Sequence, residues 1–567
     1  MDGGGFFEKN LLALSRRSPG LCAALRAARH RAALRYSFLR TPSGETIPAG
    51  IDSAGTARPL HSVVDPKREA ERLVSAAAGD ADGTGSAGFM VFLGLGAGFA
   101  PSAALRLPNV SGVLAIDYGL DGIAGLFGAR DYSGLLDDPR FTLLADPSPG
   151  EIESLLPELY RPALCGGIRV LPLRARVGLD SAAFAAAAEA VRRGIEKVSA
   201  DYSVQAHFGT RWFANIVRNV AAFRFCGRAA PPPPVRDAVV CAAGPSLDAQ
   251  LPLLLERAAR GERPFVISSD TALPALLHVG LKPDAVVSID CQHVGYLHFM
   301  GSACGGVPLF LDIASPPAFA RFSGSPFFFS GGHPLAAYLC EKWMRLPVLD
   351  VSGGNVAFAC LSLAEKLGAD RVTVCGADFS YPAGRIYARG SYVFPYFEGR
   401  QNRLSPIEAK VSGFLFRAPF LPEENPGGVR RYETATMRSY RLSFGRKMSE
   451  MRAEVTIMPG LGIPPVAGEK KAVRRPSQDG PGFARAKPMV PAREFLESYM
   501  RDVLALPALG AEAGGYARGL SSGERRVFAT LLPQLAALKR RSPELRPGEL
   551  LAAAKLCCAN EIGRALG

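Results

Sequence analysis

Only 21% of the 567 residues are charged, too few for a disordered chain, and the 48% that are hydrophobic supply packed cores. The length exceeds what one hydrophobic core serves, so two to four domains are expected. The eleven cysteines form no CxxC pair and no disulfide-framework spacing, which leaves them as small core residues of a reducing, cytoplasmic setting. Met1 to Arg40 lacks the apolar centre of a secretory signal. No basic run is interleaved with aromatic residues, so the net charge of +14 does not imply nucleic acid as a partner. The uncharged run Gly83 to Leu105 is long enough for a membrane span, but its glycines, Pro101 and short apolar centre read instead as a strand entering a turn. No membrane span is expected.

Composition divides the chain into five segments. Residues 1–86 are a helical or irregular region closing in the small-residue linker AAAGDADGTGSAG. Residues 87–230 begin with FMVFLGLGAGF and VLAID, a Rossmann-like strand, glycine loop and second strand ending in Asp117, followed by a helical connector containing TRWFANIVRNV. The loop lacks the third glycine of a dinucleotide fingerprint and is expected to be structural or accessory. Four prolines, 231–234, mark a boundary. Residues 235–465 alternate apolar runs (DAVVCAA, PFVISSD, DAVVSID, PLFLDI, PFFFS, RVTVCGAD) with helical segments. The expectation is therefore an α/β class with a mainly parallel, doubly wound central domain, its ligands at the carboxyl ends of the strands. A basic Pro/Gly linker (466–490) precedes a C-terminal helical module (491–567) suited to docking a protein.

The most informative peptide is VVCAAGPSLD, in which a buried strand runs into Gly244, Pro245 and Ser246 and a helix begins. Gly244 permits close approach to the backbone, and Ser246 with the neighbouring amides of Ala243 to Leu247 forms a helix start that attracts phosphate. Two following strands end in Asp270 and Asp290, placing both carboxylates on the same sheet edge; Thr271 and Gln292 stand beside them. Ser352, Gly353, Gly354 and Asn355 form a second glycine-rich helix start, and Asp378 and Ser380 follow a further strand. Arg385, Arg389 and Arg400 lie in the irregular segment beyond, where a carboxylate or phosphate would be clamped, and His333 is a reserve general base.

These motifs, AAGPSLD, DTAL, GLKPDAVVSID and GADFSY, resemble the superfamily that joins motor accessory factors of flagellin glycosylation with 6-hydroxymethylpterin diphosphokinases of the MptE-like type. The resemblance spans roughly residues 235–397, and Ala242 and Tyr387 replace the family's leading glycine and a histidine. It implies a Rossmann-like, sialyltransferase-like catalytic domain and a protein O-glycosyltransferase. The donor would be a cytidine monophosphate (CMP) nonulosonic, sialic-like sugar, and the acceptor Ser or Thr of flagellin or another protein. Asp270, Asp290, Asp378 and Tyr387 are then the catalytic candidates. Ala243, Gly244, Pro245, Ser246, Leu247, Thr271, Gln292 and Ser352 to Asn355 would bind nucleotide, and Ser380 and Arg389 the substrate. No metal is implied. The alternative is an ATP-dependent diphosphokinase, for which Asp270 and Asp290 would hold magnesium; a non-catalytic nucleotide-binding scaffold is a third reading.

Overall fold

The computed structural model describes residues 3–29, 35–51, 55–79, 87–223, 235–300, 306–322, 326–422, 428–470, 487–510 and 513–567. The proline run and most of the two expected linkers lie outside these residues. The chain forms two compact units, residues 1–209 with 502–557 and residues 210–501 with 558–567. The division falls within the helix Ser181–Ala222, whose Trp212 segment belongs to the second unit. Among the described residues no helix is long and apolar enough to cross a membrane, and the cysteines are free, most of them buried.

The first unit holds a parallel four-stranded sheet in the order Phe141–Ala145, Gly112–Asp117, Ala87–Leu93, Gly167–Pro172. Ala87–Leu93 and Gly112–Asp117 are buried throughout, which explains why they read as unbroken small or apolar runs. In the region expected to be helical or irregular, Tyr36–Arg40, Thr46–Ile51 and Ala57–Pro59 form an antiparallel sheet.

The strand order reverses beside the Gly94 to Gly98 loop, yet four of the loop's five amides, those of Gly94, Leu95, Ala97 and Gly98, are already bonded. Leu95 donates to Asp117 Oδ2 at 2.7 Å and Ala97 to His61 Nε2 at 2.8 Å. Asp117 Oδ1 in turn lies 2.8 Å from Arg176 Nη2, both side chains fully buried. A Cβ on Gly96 would fall 2.4 Å from His61 Nε2. The loop thus anchors its own chain.

The second unit holds a seven-stranded sheet, parallel throughout. Its order is Phe327–Phe329, Leu309–Asp312, Ala285–Ser288, Phe265–Ser269, Asp237–Cys241, Arg371–Cys375, Glu454–Ile457. The helix Val356–Lys366 packs its apolar face on one side, with Phe358, Leu361 and Leu363 in a core that includes Val240, Ile267 and Val287. Leu247, Leu251, Leu254, Ala275 and Leu276 cover the other side. Both faces are therefore closed, and function is left to the strand ends.

Candidate functional site

Parallel strands deliver all their outgoing loops to one edge, so Ser246, Asp270, Asp290, Asp312 and Asp378 share the carboxyl edge of the seven-stranded sheet. Their environments differ. Strand order reverses between Asp237–Cys241 and Arg371–Cys375, where a crevice is expected. There the Ser246 hydroxyl donates to Asp378 Oδ1 at 2.5 Å and the Ser246 amide to Asp378 Oδ2 at 2.8 Å. Leu461 N–H donates to the Ser246 oxygen at 2.7 Å, and Gly462 N–H to Asp378 Oδ1 at 3.0 Å.

A carboxylate of the chain itself therefore satisfies the positive end of the helix Leu247–Ala259. The helix start expected to attract phosphate is thus occupied at Ser246 by that carboxylate: Ser246 and Asp378 are both buried and paired. Gly244 is required because a Cβ would lie 2.4 Å from Asp378 Oδ2. Ala243, Pro245 and Leu247 are buried, while Ala242 and Gly244 keep partial exposure. Ser380 is likewise spent, donating to the Asp378 carbonyl at 3.0 Å and accepting from Ile463 N–H at 3.3 Å.

One strand away lies a group of titratable side chains. Asp270 is fully buried; its Oδ2 accepts from the Ser288 hydroxyl at 2.6 Å and its Oδ1 from the Thr271 amide at 2.6 Å and hydroxyl at 3.0 Å. His298 Nδ1, itself buried, stands 3.4 Å from Asp270 Oδ1. The Tyr392 ring covers the imidazole at a centroid distance of 4.5 Å. Asp290 is half-buried and accepts the Gln292 amide at 2.8 Å.

Burial alone would push the Asp270 carboxyl up, but His298 and the hydroxyl donors outweigh it and hold it below its ordinary value. Burial pulls His298 down, and the two carboxylates reverse this and leave it raised. Asp290 is pushed up by burial and then by Asp270. Two carboxylates and an imidazole are thus electrostatically coupled, with their proton affinities driven apart, an arrangement met where acid and base chemistry is done.

His298 was not among the sequence candidates. It sits at the end of an irregular turn, His293–His298, and only the tertiary contact reveals it. His333 is instead the cap of the helix Pro334–Lys342, accepting Leu335 N–H at 3.1 Å, and burial pulls its pKa to about 3. Such a histidine is neutral and already used as an acceptor.

Asn355 caps the helix Val356–Lys366, and Gly353 makes room for the Phe358 ring, 2.1 Å from where a Cβ would stand. Ser352 and Gly354 remain exposed. Arg385 and Arg389 both hold Asp248, Arg389 through its amide at 2.8 Å, and Arg400 stacks on Tyr396 at 3.7 Å. The Arg389 guanidinium stays largely exposed. Tyr387 belongs to the aromatic layer with Tyr392, and burial raises its hydroxyl pKa.

The Trp212 segment supports the same edge. Asn215 Nδ2 donates to the carbonyls of Cys291 and Ala314 at 3.1 and 2.8 Å; Asn219 Nδ2 donates to those of Ile313 and Ser315, both at 2.8 Å. Both asparagines are buried, and their i, i+4 spacing lets one helix face pin two strand-exit loops.

Residues 212–384 match the family described as 6-hydroxymethylpterin diphosphokinase MptE-like. The central segment is an MptE-like domain. Among curated proteins the chain is similar to several uncharacterized proteins of Treponema pallidum (strain Nichols). One is 36% identical over 151 residues, 26% of this chain and 53% of the relative. Another is 29% identical over 155 residues, 25% of this chain and 39% of the relative. The chain therefore spans about half the length of the first relative, and less of the second. A solved structure, the MAf glycosyltransferase from Magnetospirillum magneticum AMB-1, matches 100% of this chain and 95% of its own with a TM-score of 0.58 at 16% identity. That likeness establishes a shared α/β fold.

Proposed function

We propose that the MptE-like domain is a glycosyltransferase that moves a nonulosonic sugar from a CMP donor to a Ser or Thr hydroxyl of a protein, flagellin being the acceptor that the family resemblance implies. The observation that carries this reading is the coupled cluster of Asp270, His298 and Asp290 at the carboxyl edge of a sheet whose fold is shared with the MAf glycosyltransferase. Asp290 is the general base: it is half-exposed, its carboxyl pKa is raised, and its described hydrogen bonding comes from Gln292. The nucleotide lies over the partly exposed backbone of Ala242 and Gly244. Gln292 and Thr271 flank the pocket.

A monophosphate leaving group is met by hydrogen-bond donors and cations alone. A diphosphokinase would gather a triphosphate and magnesium on Asp270 and Asp290, and Asp270 suits that poorly because it is fully buried and Ser288 and Thr271 already bond its two oxygens.

The test is to incubate the full chain with a CMP-nonulosonate and flagellin, with and without a divalent-ion chelator, and follow acceptor mass. The expected result is a mass shift in both conditions, reduced about 10²-fold or more in rate by Asp290→Asn, the range for loss of a general base beginning there. Magnesium-dependent consumption of ATP with a pterin, and no shift of flagellin, would establish the diphosphokinase instead.

A further inference from the structure

We infer that the segment 383–432, inserted between the strands Arg371–Cys375 and Glu454–Ile457, is the docking surface for the acceptor protein, and that it fits a stretch of that protein carrying carboxylates beside apolar side chains. The inference rests on the glycosyltransferase reading and adds to it the chemistry by which the acceptor is recognised.

Charge sets the sign of the partner. The segment carries eight Arg or Lys residues against four Glu, and no Asp. Three of its arginines stand over aromatic rings: Arg400 over Tyr396 at 3.7 Å, Arg417 over Phe414 at 3.8 Å and Arg430 over Tyr432 at 4.8 Å. All three are exposed, and among the described residues no carboxylate stands within ion-pair distance of them. Their neighbours are already matched, since Arg385 holds Asp248 while Arg438 and Arg441 hold Glu433. A guanidinium held over a ring keeps its N–H edge for a ligand and loses less freedom on binding one. A carboxylate meets that edge with two parallel hydrogen bonds.

An apolar anchor accompanies these charges. Asn402 and Ser405 close a turn, each donating its amide to the other's carbonyl, at 3.1 and 3.0 Å, and Asn402 Oδ1 accepts Leu404 N–H and Ser405 N–H, both at 3.0 Å. Lys410 Nζ ties the turn to the following helix, Ile407–Leu415, by donating to the Ser405 hydroxyl at 3.2 Å. Arg403 and Leu404 occupy the tip, and Leu404 is 94% exposed. A lone exposed leucine needs no explanation, but this one is held out by a turn whose backbone is pinned, with Arg400 and Arg403 beside it in the chain. Phe416, 60% exposed, adds apolar area next to the rings of Phe420 and Tyr432, 5.5 and 6.2 Å away. Apolar knobs among arginines complement an apolar surface rimmed by acid.

The surface is continuous with the candidate site. Tyr392 covers His298 at 4.5 Å, and its ring lies 6.4 Å from Tyr387 and 6.5 Å from Tyr396, the ring beneath Arg400. Tyr387 in turn lies 6.1 Å from Phe414, the ring beneath Arg417. An acceptor held on these arginines brings a nearby Ser or Thr hydroxyl to the Asp270 and Asp290 edge and raises its effective concentration there.

The test separates binding from transfer. Flagellin, and a labelled soluble peptide rich in Glu with interspersed Leu, are titrated onto the full chain without donor, at low and at physiological ionic strength. The proteins are the wild type, the double variant Arg400→Gln/Arg417→Gln, and Leu404→Ser, with CMP affinity and thermal unfolding as controls. Wild-type affinity for both probes is expected to fall as salt rises. The double variant loses about ten-fold or more for both probes, together with most of the salt dependence. Leu404→Ser loses about ten-fold and keeps the salt dependence. In the transfer assay KM for flagellin rises by similar factors while kcat holds, and CMP affinity and Tm are unchanged.

Unchanged affinity for both probes in the variants would overturn the docking surface and leave the glycosyltransferase reading standing. Loss of CMP affinity in the double variant with flagellin affinity intact would assign those arginines to the donor and refute the docking role. Peptide binding through these residues without binding or modification of flagellin would uphold the surface and remove flagellin as the acceptor. A wild type that binds neither probe would sink the inference whatever the transfer assay shows.

Discussion

Replacing Asp117 by asparagine separates a structural glycine loop from a ligand-binding one. In the fold Asp117 is fully buried: Oδ2 accepts Leu95 N–H at 2.7 Å, and Oδ1 accepts Tyr118 N–H at 2.7 Å and Arg176 Nε–H at 2.9 Å. Arg176 is equally buried and donates also to Asp180 and to the Tyr118 carbonyl. Burial pushes the Asp117 carboxyl up, and Arg176 and the two amides oppose it.

An asparagine keeps one acceptor but turns an NH₂ group toward a backbone N–H and leaves the guanidinium with less negative charge. Breaking one side of a buried pair costs about 3–5 kcal/mol. For a unit of this size that corresponds to a fall in Tm on the order of 10 °C. Much of the cost is the stranded charge, so Arg176→Met in the Asp117→Asn background should recover part of it; the coupling is read from a double-mutant cycle by thermal unfolding. A variant with an unchanged Tm and lost transfer activity would refute the reasoning, since Asp117 would then be serving a ligand.

Two further perturbations test the second unit. Asn215→Ala or Asn219→Ala strips two buried carbonyls of their donor and should destabilise that unit by about 3 kcal/mol each, measured by denaturant unfolding; an effect under about 0.5 kcal/mol would contradict the pinning of the exit loops. Asp312 is buried with amide donors alone and its pKa is pushed up to about 6. A raised carboxyl stabilises the fold below the unfolded value of about 3.9, and this contribution is lost as pH climbs through 6. It amounts to about 3 kcal/mol between pH 4 and 7. Asp312→Asn should flatten that slope, and an unaltered slope would point to another group.

The buried parallel strands were legible because a strand covered on both faces must be apolar without alternation, as DAVVC and FVISS are. Glu454–Ile457 escaped notice because it is short and on the sheet edge, with two exposed positions that break its apolar run. Tyr36–Arg40 was hidden for the same reason, since three of its five residues are exposed. The motif around Ser246 was correctly placed on a strand end, yet its role turned on Leu461 and Gly462, more than two hundred residues away. No local pattern encodes that contact. His298 was invisible on similar grounds: a histidine in a polar turn carries no signal until the fold brings it to Asp270.

The aspartates of the carboxyl edge differ in how far the fold has already used them. A loop following the last strand, Pro459 to Ile463, packs over the reversal and supplies amides to Ser246, Asp378 and Ser380. The Asp378 carboxylate then has three donors, the Ser246 amide and hydroxyl and Gly462 N–H, while Ser380 bonds its backbone carbonyl. A buried carboxylate so held is fixed in place by the fold. Asp312 is committed to backbone amides and Asp270 to Ser288, Thr271 and His298. Asp290 alone among these couples partial exposure with a raised proton affinity. It follows Ala285–Ser288, two strands from the reversal, where the Pro459 to Ile463 loop does not supply its described hydrogen bonds.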